Sequence, residues 1–141
     1  MWQYCGYGKP AYPNVEYPFA FDPPYIPKKN PVGYYRKKFT VAEKTAKTYI
    51  HFEGVDNCFC LYINGNFVGF AKNTRLATEF DVSDFIRTGE NLVAVKVYTY
   101  SDASYLENQD MLLVNGIFRD VYLIHSGSVS VWDYSIITDC T

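Results

Sequence analysis

The sequence predicts an all-β sandwich preceded by an extended arm rich in proline and tyrosine. Three observations carry this. Short runs of alternating apolar and polar residues recur at close intervals between turn residues, the signature of a many-stranded β domain. Asn64-Gly65 sits between two such runs, and both central positions of a type I′ hairpin turn need positive φ, which this pair tolerates. Aromatic residues make up 18% of the 141-residue chain, with Tyr 14 and Phe 10, and rings favour strands. No helical period of useful length appears, although Val82-Ser83-Asp84-Phe85-Ile86 reads as a single turn. A chain of this length fits one domain, able to bury about 68% of its unfolded surface.

Residues 1–32 form the predicted arm. Pro10, Pro13, Pro18, Pro23, Pro24, Pro27 and Pro31 preclude a helix and argue against a central strand, because proline lacks the N–H that a ladder needs. Its interleaved rings, Tyr7, Tyr12, Tyr17, Phe19, Phe21 and Tyr25, point to an extended segment pinned to a surface. Each ring, if fully buried, contributes about 1.5–3 kcal/mol. Residues 33–141 are the sandwich. Tyr34 to Val41 alternates, as does Thr48 to Phe52. Asn57 to Ile63 puts Phe59, Leu61 and Ile63 on one face, and Asn66 to Ala71 returns from the hairpin. Leu92 to Tyr100 sets Val93, Val95 and Val97 on one side; Ile117 to Ile124 and Val129 to Ile137 complete the strands.

Formal net charge is −2. The basic clusters Lys28-Lys29 and Arg36-Lys37-Lys38 are short and interrupted, which argues against nucleic-acid binding. No apolar run approaches the roughly 20 residues of a membrane helix, and no signal-peptide core opens the chain, so no membrane association and a cytoplasmic location are expected. Cys5, Cys58, Cys60 and Cys140 are too irregular for a disulfide framework. Cys58 and Cys60 share one strand face, and His51 and His125 have no ligand spacing to them, so free thiols are expected rather than zinc.

One polar loop stands out: Ser104-Tyr105-Leu106-Glu107-Asn108-Gln109-Asp110, followed by Asn115-Gly116-Ile117-Phe118-Arg119-Asp120-Val121. Two carboxylates, two amides and a tyrosine crowd a segment between strand-like runs, where β scaffolds commonly carry binding groups. The run SYLENQDM-x-x-x-NGIFRDVYL resembles the amino-terminal domain of β-galactosidases of glycoside hydrolase family two, which reads roughly SYLEDQDMW-x-x-SGIFRDV-x-L. The likeness continues through Phe52-Glu53-Gly54-Val55, Asn64-Gly65, Val68-Gly69, Glu79-Phe80-Asp81 and Gly89-Glu90-Asn91. It reaches Trp2-Gln3, Gly6-Tyr7, Tyr17-Pro18-Phe19, Asp22-Pro23-Pro24 and Asn30-Pro31 near the start, covering nearly the whole chain. Periodicity alone does not separate jelly-roll from immunoglobulin-like topology; the resemblance implies a sugar-binding jelly roll.

Glycoside hydrolysis normally needs two carboxyl groups set across a sugar-sized gap. Glu53, Glu79, Asp81, Asp84, Glu107 and Asp110 are available, and none has the context of a catalytic pair. The resemblance implies that the acid and nucleophile are glutamates of a downstream (β/α)₈ barrel, which takes about 250 residues and does not fit here. This chain by itself is therefore expected not to hydrolyse glycosides. It would complete the galactose pocket of a parent enzyme that cleaves terminal β-D-galactosides.

The resemblance assigns sugar-hydroxyl contacts to Asn14, and to Asp110 both a contact with the galactose 6-hydroxyl and an oxygen for a shared sodium ion. Hard cations take oxygen ligands, and carboxylates are strong acceptors for hydroxyls. Read without it, Asn14 ties a turn, and Asp110 is a solvated carboxylate or a partner of Arg119. Glu107 and Arg119 read as a salt bridge or backbone tie that shapes the loop, with Tyr105 packed beneath. The resemblance further implies sodium and a candidate magnesium in the parent but no cofactor of this chain's own. Its implied partners are an immunoglobulin-like domain and the barrel, a β-galactoside substrate and a homo-oligomeric parent. Four positions depart from the pattern: Leu112 replaces a Trp, Asn108 an Asp, Ala103 a Gly and Pro13 a Thr, which bears on specificity and cation affinity. Two alternatives remain open: an independent carbohydrate-binding module, and a structural domain of a β-glucuronidase or β-mannosidase.

Overall fold

Alternating sequence becomes two antiparallel sheets facing one core. The computed structural model describes residues 1–141 apart from Pro13, Val15, Asn108, Gln109, Cys140 and Thr141. The departures at Pro13 and Asn108 and the thiol of Cys140 thus lie outside the described residues. The strands are β1 (Val32–Val41), β2 (Lys47–Phe52), β3 (Val55–Asp56), β4 (Cys58–Ile63), β5 (Asn66–Ala71), β6 (Thr78–Asp81), β7 (Gly89–Tyr98), β8 (Gly116–Ile117) and β9 (Val121–Ser126). One sheet runs β1-β7-β4-β5, a second β6-β2-β9, and β3 pairs β8. No α-helix occurs among the described residues, only two short 3-10 turns, Gln3–Cys5 and Asp102–Tyr105.

The core is built by every second residue of strands from both sheets. Ile50 and Phe52 of β2 meet Phe59, Leu61 and Ile63 of β4 and Val95 and Val97 of β7, all buried. Phe52, Phe59 and Phe80 form a cluster of tilted and edge-on rings with centroids 4.8–6.3 Å apart. The opposite face of β4 carries Cys58, which is buried, and Cys60, half-buried; both are free thiols, as is the exposed Cys5. Burial pushes the Cys58 thiol up to about 11, so it is an unreactive packing group.

Asn64 and Gly65 close the β4–β5 hairpin with φ of 52° and 86°, the positive pair that the sequence calls for. Asn64 is more than a turn residue. Its amide donates to the Phe85 carbonyl at 2.9 Å and to Asn91 Oδ1 at 2.8 Å, and its Oδ1 accepts from the Leu92 N–H at 3.0 Å. Asn91, 1% exposed, also accepts from the Arg87 N–H and donates to the carbonyls of Arg87 and Gly89. The turn after β6, where Phe85 and Ile86 N–H return to the Val82 carbonyl, is thereby stapled to the hairpin.

Several predicted boundaries shift. β7 runs from Gly89 to Tyr98 rather than Leu92 to Tyr100, pairing with β1 from Val32↔Tyr98 to Val41↔Gly89. The run Ile117 to Ile124 divides into β8 and β9, because the Phe118 N–H turns to the Gly54 carbonyl and Asp120 O accepts from the Glu53 N–H. β6 is not legible in the sequence: its four residues offer one apolar side chain facing in, Phe80. Val129 to Ile137 is not a strand. Val129, Val131, Trp132, Tyr134, Ile136 and Ile137 are all exposed, and their backbone pairs with no described strand. Its alternation fits a sheet edge that these residues do not reach; the Trp132 ring lies against Tyr49 at 5.8 Å between centroids.

The arm packs unevenly. Trp2 lies against the core, donates from Nε1 to the Tyr35 hydroxyl at 2.5 Å and from its backbone N–H to the Asn115 carbonyl at 3.0 Å. A methyl group at Gly33 would overlap the Trp2 ring, so this approach requires glycine. Tyr17, Phe19 and Phe21 gather around Tyr105 at 5.3–5.6 Å between centroids. Tyr7, Tyr12 and Tyr25 remain exposed.

Candidate functional site

The arm and the polar loop meet at a short antiparallel bridge, Ala11↔Leu113, with backbone N–H···O distances of 3.3 and 2.8 Å. Next to it the Tyr12 hydroxyl donates to Asp110 Oδ1, which holds the Tyr12 phenol above its usual titration range. Segments about a hundred residues apart in sequence are thus side by side. Asn14 follows Tyr12 by two positions and is exposed, as is Asp110. No hydrogen bond joins Asn14 to Asp110 among the described residues, so the fold brings their segments together and leaves both side chains facing outward.

The loop is fixed from beneath through Asp56 and Asn57, which the sequence does not mark, acting on Ser101, Ser104 and Asn115. Asn57 Oδ1 accepts from Ser101 Oγ at 2.5 Å, and Asn57 Nδ2 donates to Ser104 Oγ at 3.1 Å. Its neighbour Asp56 accepts from Asn115 Nδ2 at 2.9 Å and faces Arg75 at 3.5 Å. Asn115 also donates to the Thr99 carbonyl at 3.1 Å and exchanges two bonds with the Gln3 side chain. Burial pushes the Asp56 carboxyl up to about 6, against the pull of Arg75 and the Asn115 bond. Thr74 Oγ1 donates to Glu107 Oε2. A cavity of about 20 Å³ lies between Asp56, Asn57, Thr74, Arg75, Ser104 and Glu107, room for one water.

Tyr105 packs under the loop as expected, and reaches further than expected. Its hydroxyl donates to the Tyr25 carbonyl at 2.6 Å, and Tyr17 donates to the Tyr105 carbonyl at 2.8 Å. Arg119 makes the backbone tie, donating to the carbonyls of Glu53 and Arg75 at 3.3 and 3.0 Å. It forms no ion pair with Glu107 or Asp110 among the described residues. Glu79 binds His51 at 2.7 Å, and Asp81 binds Lys47 and Ser83. Those bonds lower the Asp81 carboxyl to about 2.

No group of three or more His, Cys, Asp or Glu side chains suited to a metal occurs among the described residues. One exposed carboxylate already holding a phenol suits a shared ligand that adds one oxygen to a site completed by other residues. Beside the bridge, a groove of about 730 Å³ includes Trp2, Tyr7, Tyr34, Tyr100 and Leu113 in its walls. No helix of the described residues is long and apolar enough to cross a membrane.

Residues 1–127 match the family model described as glycosyl hydrolases family 2, sugar binding domain. The chain is 43% identical over 141 residues to a β-galactosidase of Staphylococcus xylosus, covering 99% of this chain and 14% of that protein. It is 44% identical over 140 residues to a β-galactosidase of Vibrio cholerae, covering 98% and 14%. Among solved structures, the Bacteroides uniformis β-glucuronidase superposes with a TM-score of 0.60 at 26% identity, over 65% of this chain and 11% of that one. The chain therefore spans about one-seventh of the length of the curated relatives it matches. A match over 127 of its residues, joined to a sandwich that presents a polar loop beside an aromatic arm, places this chain in the sugar binding domain family of the family 2 glycosyl hydrolases.

Proposed function

We propose that this chain is the amino-terminal domain of an enzyme that hydrolyses terminal β-D-galactosides, and that it supplies one wall of the galactose pocket. The observation that supports this reading is the junction of the arm with the Asp110 loop, where Tyr12 bonds Asp110 and Asn14, two residues further along the arm, is exposed as Asp110 is. Asn14 hydrogen-bonds sugar hydroxyls there. Asp110 accepts from the 6-hydroxyl and lends an oxygen to a sodium ion shared with downstream residues. Tyr12 orients the Asp110 carboxylate by occupying Oδ1, which leaves Oδ2 for sugar or ion. Bound sodium would fix the orientation of the sugar hydroxyl it ligates. The bond-breaking carboxyl groups, and any magnesium, belong to the downstream barrel; an immunoglobulin-like domain links the two, and the parent is a homo-oligomer.

The β-galactosidase relatives at 43–44% identity support galactoside specificity over the glucuronidase reading, whose structural likeness rests on 26% identity. Asp110→Ala and Asn14→Ala in the parent enzyme test the assignment. Loss of the Asp110 carboxylate contact is expected to raise KM for a β-galactoside by roughly tenfold or more, and loss of a neutral Asn14 bond by about two- to tenfold, with weaker sodium dependence for Asp110→Ala. Unchanged KM in both variants would contradict it. A second reading, a self-sufficient carbohydrate-binding module, draws on the ring-lined groove. Calorimetry with galactosides and polysaccharides separates the two, because one wall of a pocket binds sugar too weakly to give heat.

A further inference from the structure

The Asp110 loop is flanked by two anchored stretches, Ser101–Ser104 before it and Asn115 after it, and both are held by adjacent residues of one strand end. Asn57 bonds Ser101 and Ser104, while Asp56 bonds Asn115. Asp56, Asn57, Ser101 and Asn115 are each buried, at 1–6% exposure. Bulk water therefore competes little for the Asn57–Ser101 and Asp56–Asn115 bonds, which fix geometry rather than merely decorate a surface. The same Asn115 holds Gln3 and Trp2 at the start of the arm. Arm and loop, the two carriers of the candidate sugar contacts, are thus referenced to one point beneath them.

We infer that Asp56 and Asn57 are positioning residues for the sugar site, setting where Asp110 lies by clamping both flanks of its loop. This deepens the reading of Asp110 given above and rests on it. Neither residue reaches the outer rim, so their influence on sugar binding passes through the loop. Around Asp56 the charged groups are Arg75 at 3.5 Å and Glu107, the latter bonded to Thr74. Asp56→Asn keeps the acceptor oxygen for Asn115, removes the charge and turns the oxygen that faces Arg75 into an amide NH2. Asn57→Ala removes the whole clamp on the leading flank. Ser104→Ala releases one bond of that clamp from the loop side, together with the Ser104 bond to the Ser101 N–H, and spares the buried strand end.

The test is a double-mutant cycle in the full-length parent enzyme. Asn57→Ala, Ser104→Ala and Asp56→Asn are each made alone and combined with Asp110→Ala, and KM and kcat for a β-galactoside are measured beside the melting temperature. Misplacement of a binding group is expected to raise KM roughly tenfold for Asn57→Ala and less for Ser104→Ala, with kcat nearly unchanged. In the Asp110→Ala background the same changes are expected to shift KM by less than about twofold, because residues acting through a common group do not add. Asp56→Asn, which preserves the Asn115 bond, is expected to stay near the wild-type KM. Effects that multiply with Asp110→Ala, or that track melting temperature and lower kcat instead, overturn the positioning role and leave Asp110 as a contact. If Asp110→Ala itself leaves KM unchanged, the sugar-contact reading fails, and the positioning role fails with it. Where Asn57→Ala does not fold, the KM of Ser104→Ala with and without Asp110→Ala decides between these outcomes.

Discussion

Asp56 is 1% exposed, and its carboxyl is pushed up to about 6 because burial disfavours the charged form more than Arg75 and Asn115 favour it. The folded chain therefore binds this proton more tightly than the unfolded chain, whose carboxyl sits near 3.8. Linkage fixes the sign: the stabilising contribution is fully present below about pH 3.8 and is lost as pH rises to about 6. Over that window the loss amounts to about 3 kcal/mol. Asp56→Asn removes this titration and also replaces the oxygen that faces Arg75. Its urea midpoint relative to wild type is expected to move in the variant's favour as pH rises from 4 to 6, then to level off. A constant difference across that range would show that Asp56 does not titrate there. Asp81 runs the other way, since Lys47 and Ser83 stabilise its charge; it is common to both proteins and cancels in the comparison.

Among the elements, the β4–β5 hairpin and the turn after β6 stand or fall together through Asn64 and Asn91. Asn91→Ala leaves Asn64 Nδ2, the Arg87 N–H and the carbonyls of Arg87 and Gly89 without this partner. Asn64 keeps its Phe85 bond, and the Arg87 and Gly89 groups lie in a partly hydrated turn, so the lost bonds, worth about 0.5–1.5 kcal/mol each before hydration, are expected to cost roughly 2 kcal/mol in denaturant unfolding. A loss below about 0.5 kcal/mol, typical of a surface site, would refute this role. Gly33→Ala tests the arm: the added methyl overlaps the Trp2 ring, so Trp2 fluorescence is expected to shift toward that of an exposed indole while the sheets persist by circular dichroism.

These elements also show what the sequence can and cannot reveal. Strands with strict alternation, such as β4 with Phe59, Leu61 and Ile63 inward, are legible because one face of each is dry. So is the Asn64-Gly65 turn, where backbone conformation restricts residue choice. β6 escapes because four residues with one inward ring carry no periodic signal. Asp56, Asn57 and Asn115 escape as a clamp because their partners lie 44, 47 and 59 positions away. Pairing of buried polar groups at that separation has no local pattern. Asn14 and Asp110 are found through a motif resemblance; alone, each looks like any exposed loop residue.

At the scale of the whole molecule, a buried core holds the sandwich together, and the arm–loop junction and the segment after β9 stand exposed beside it. Residues 128–139 expose Val129, Val131, Trp132, Tyr134, Ile136 and Ile137. Because their burial within this chain is slight, deletion of residues 128–141 is expected to change stability by less than about 0.5 kcal/mol. A larger loss would mean that the segment packs on the sandwich. The junction bears on function more directly. On the reading proposed above, this domain completes a sugar site whose bond-breaking groups lie in the rest of a parent enzyme; the curated relatives are some seven times the length of this chain. The most direct measurement is complementation: the parent enzyme lacking this domain is mixed with the 141-residue chain, and β-galactoside hydrolysis is followed. Activity is expected to return with the wild-type chain and, at substrate below KM, to return roughly tenfold or more weaker with the Asp110→Ala chain. Equal recovery with both chains, or turnover by the 141-residue chain alone, would contradict this reading.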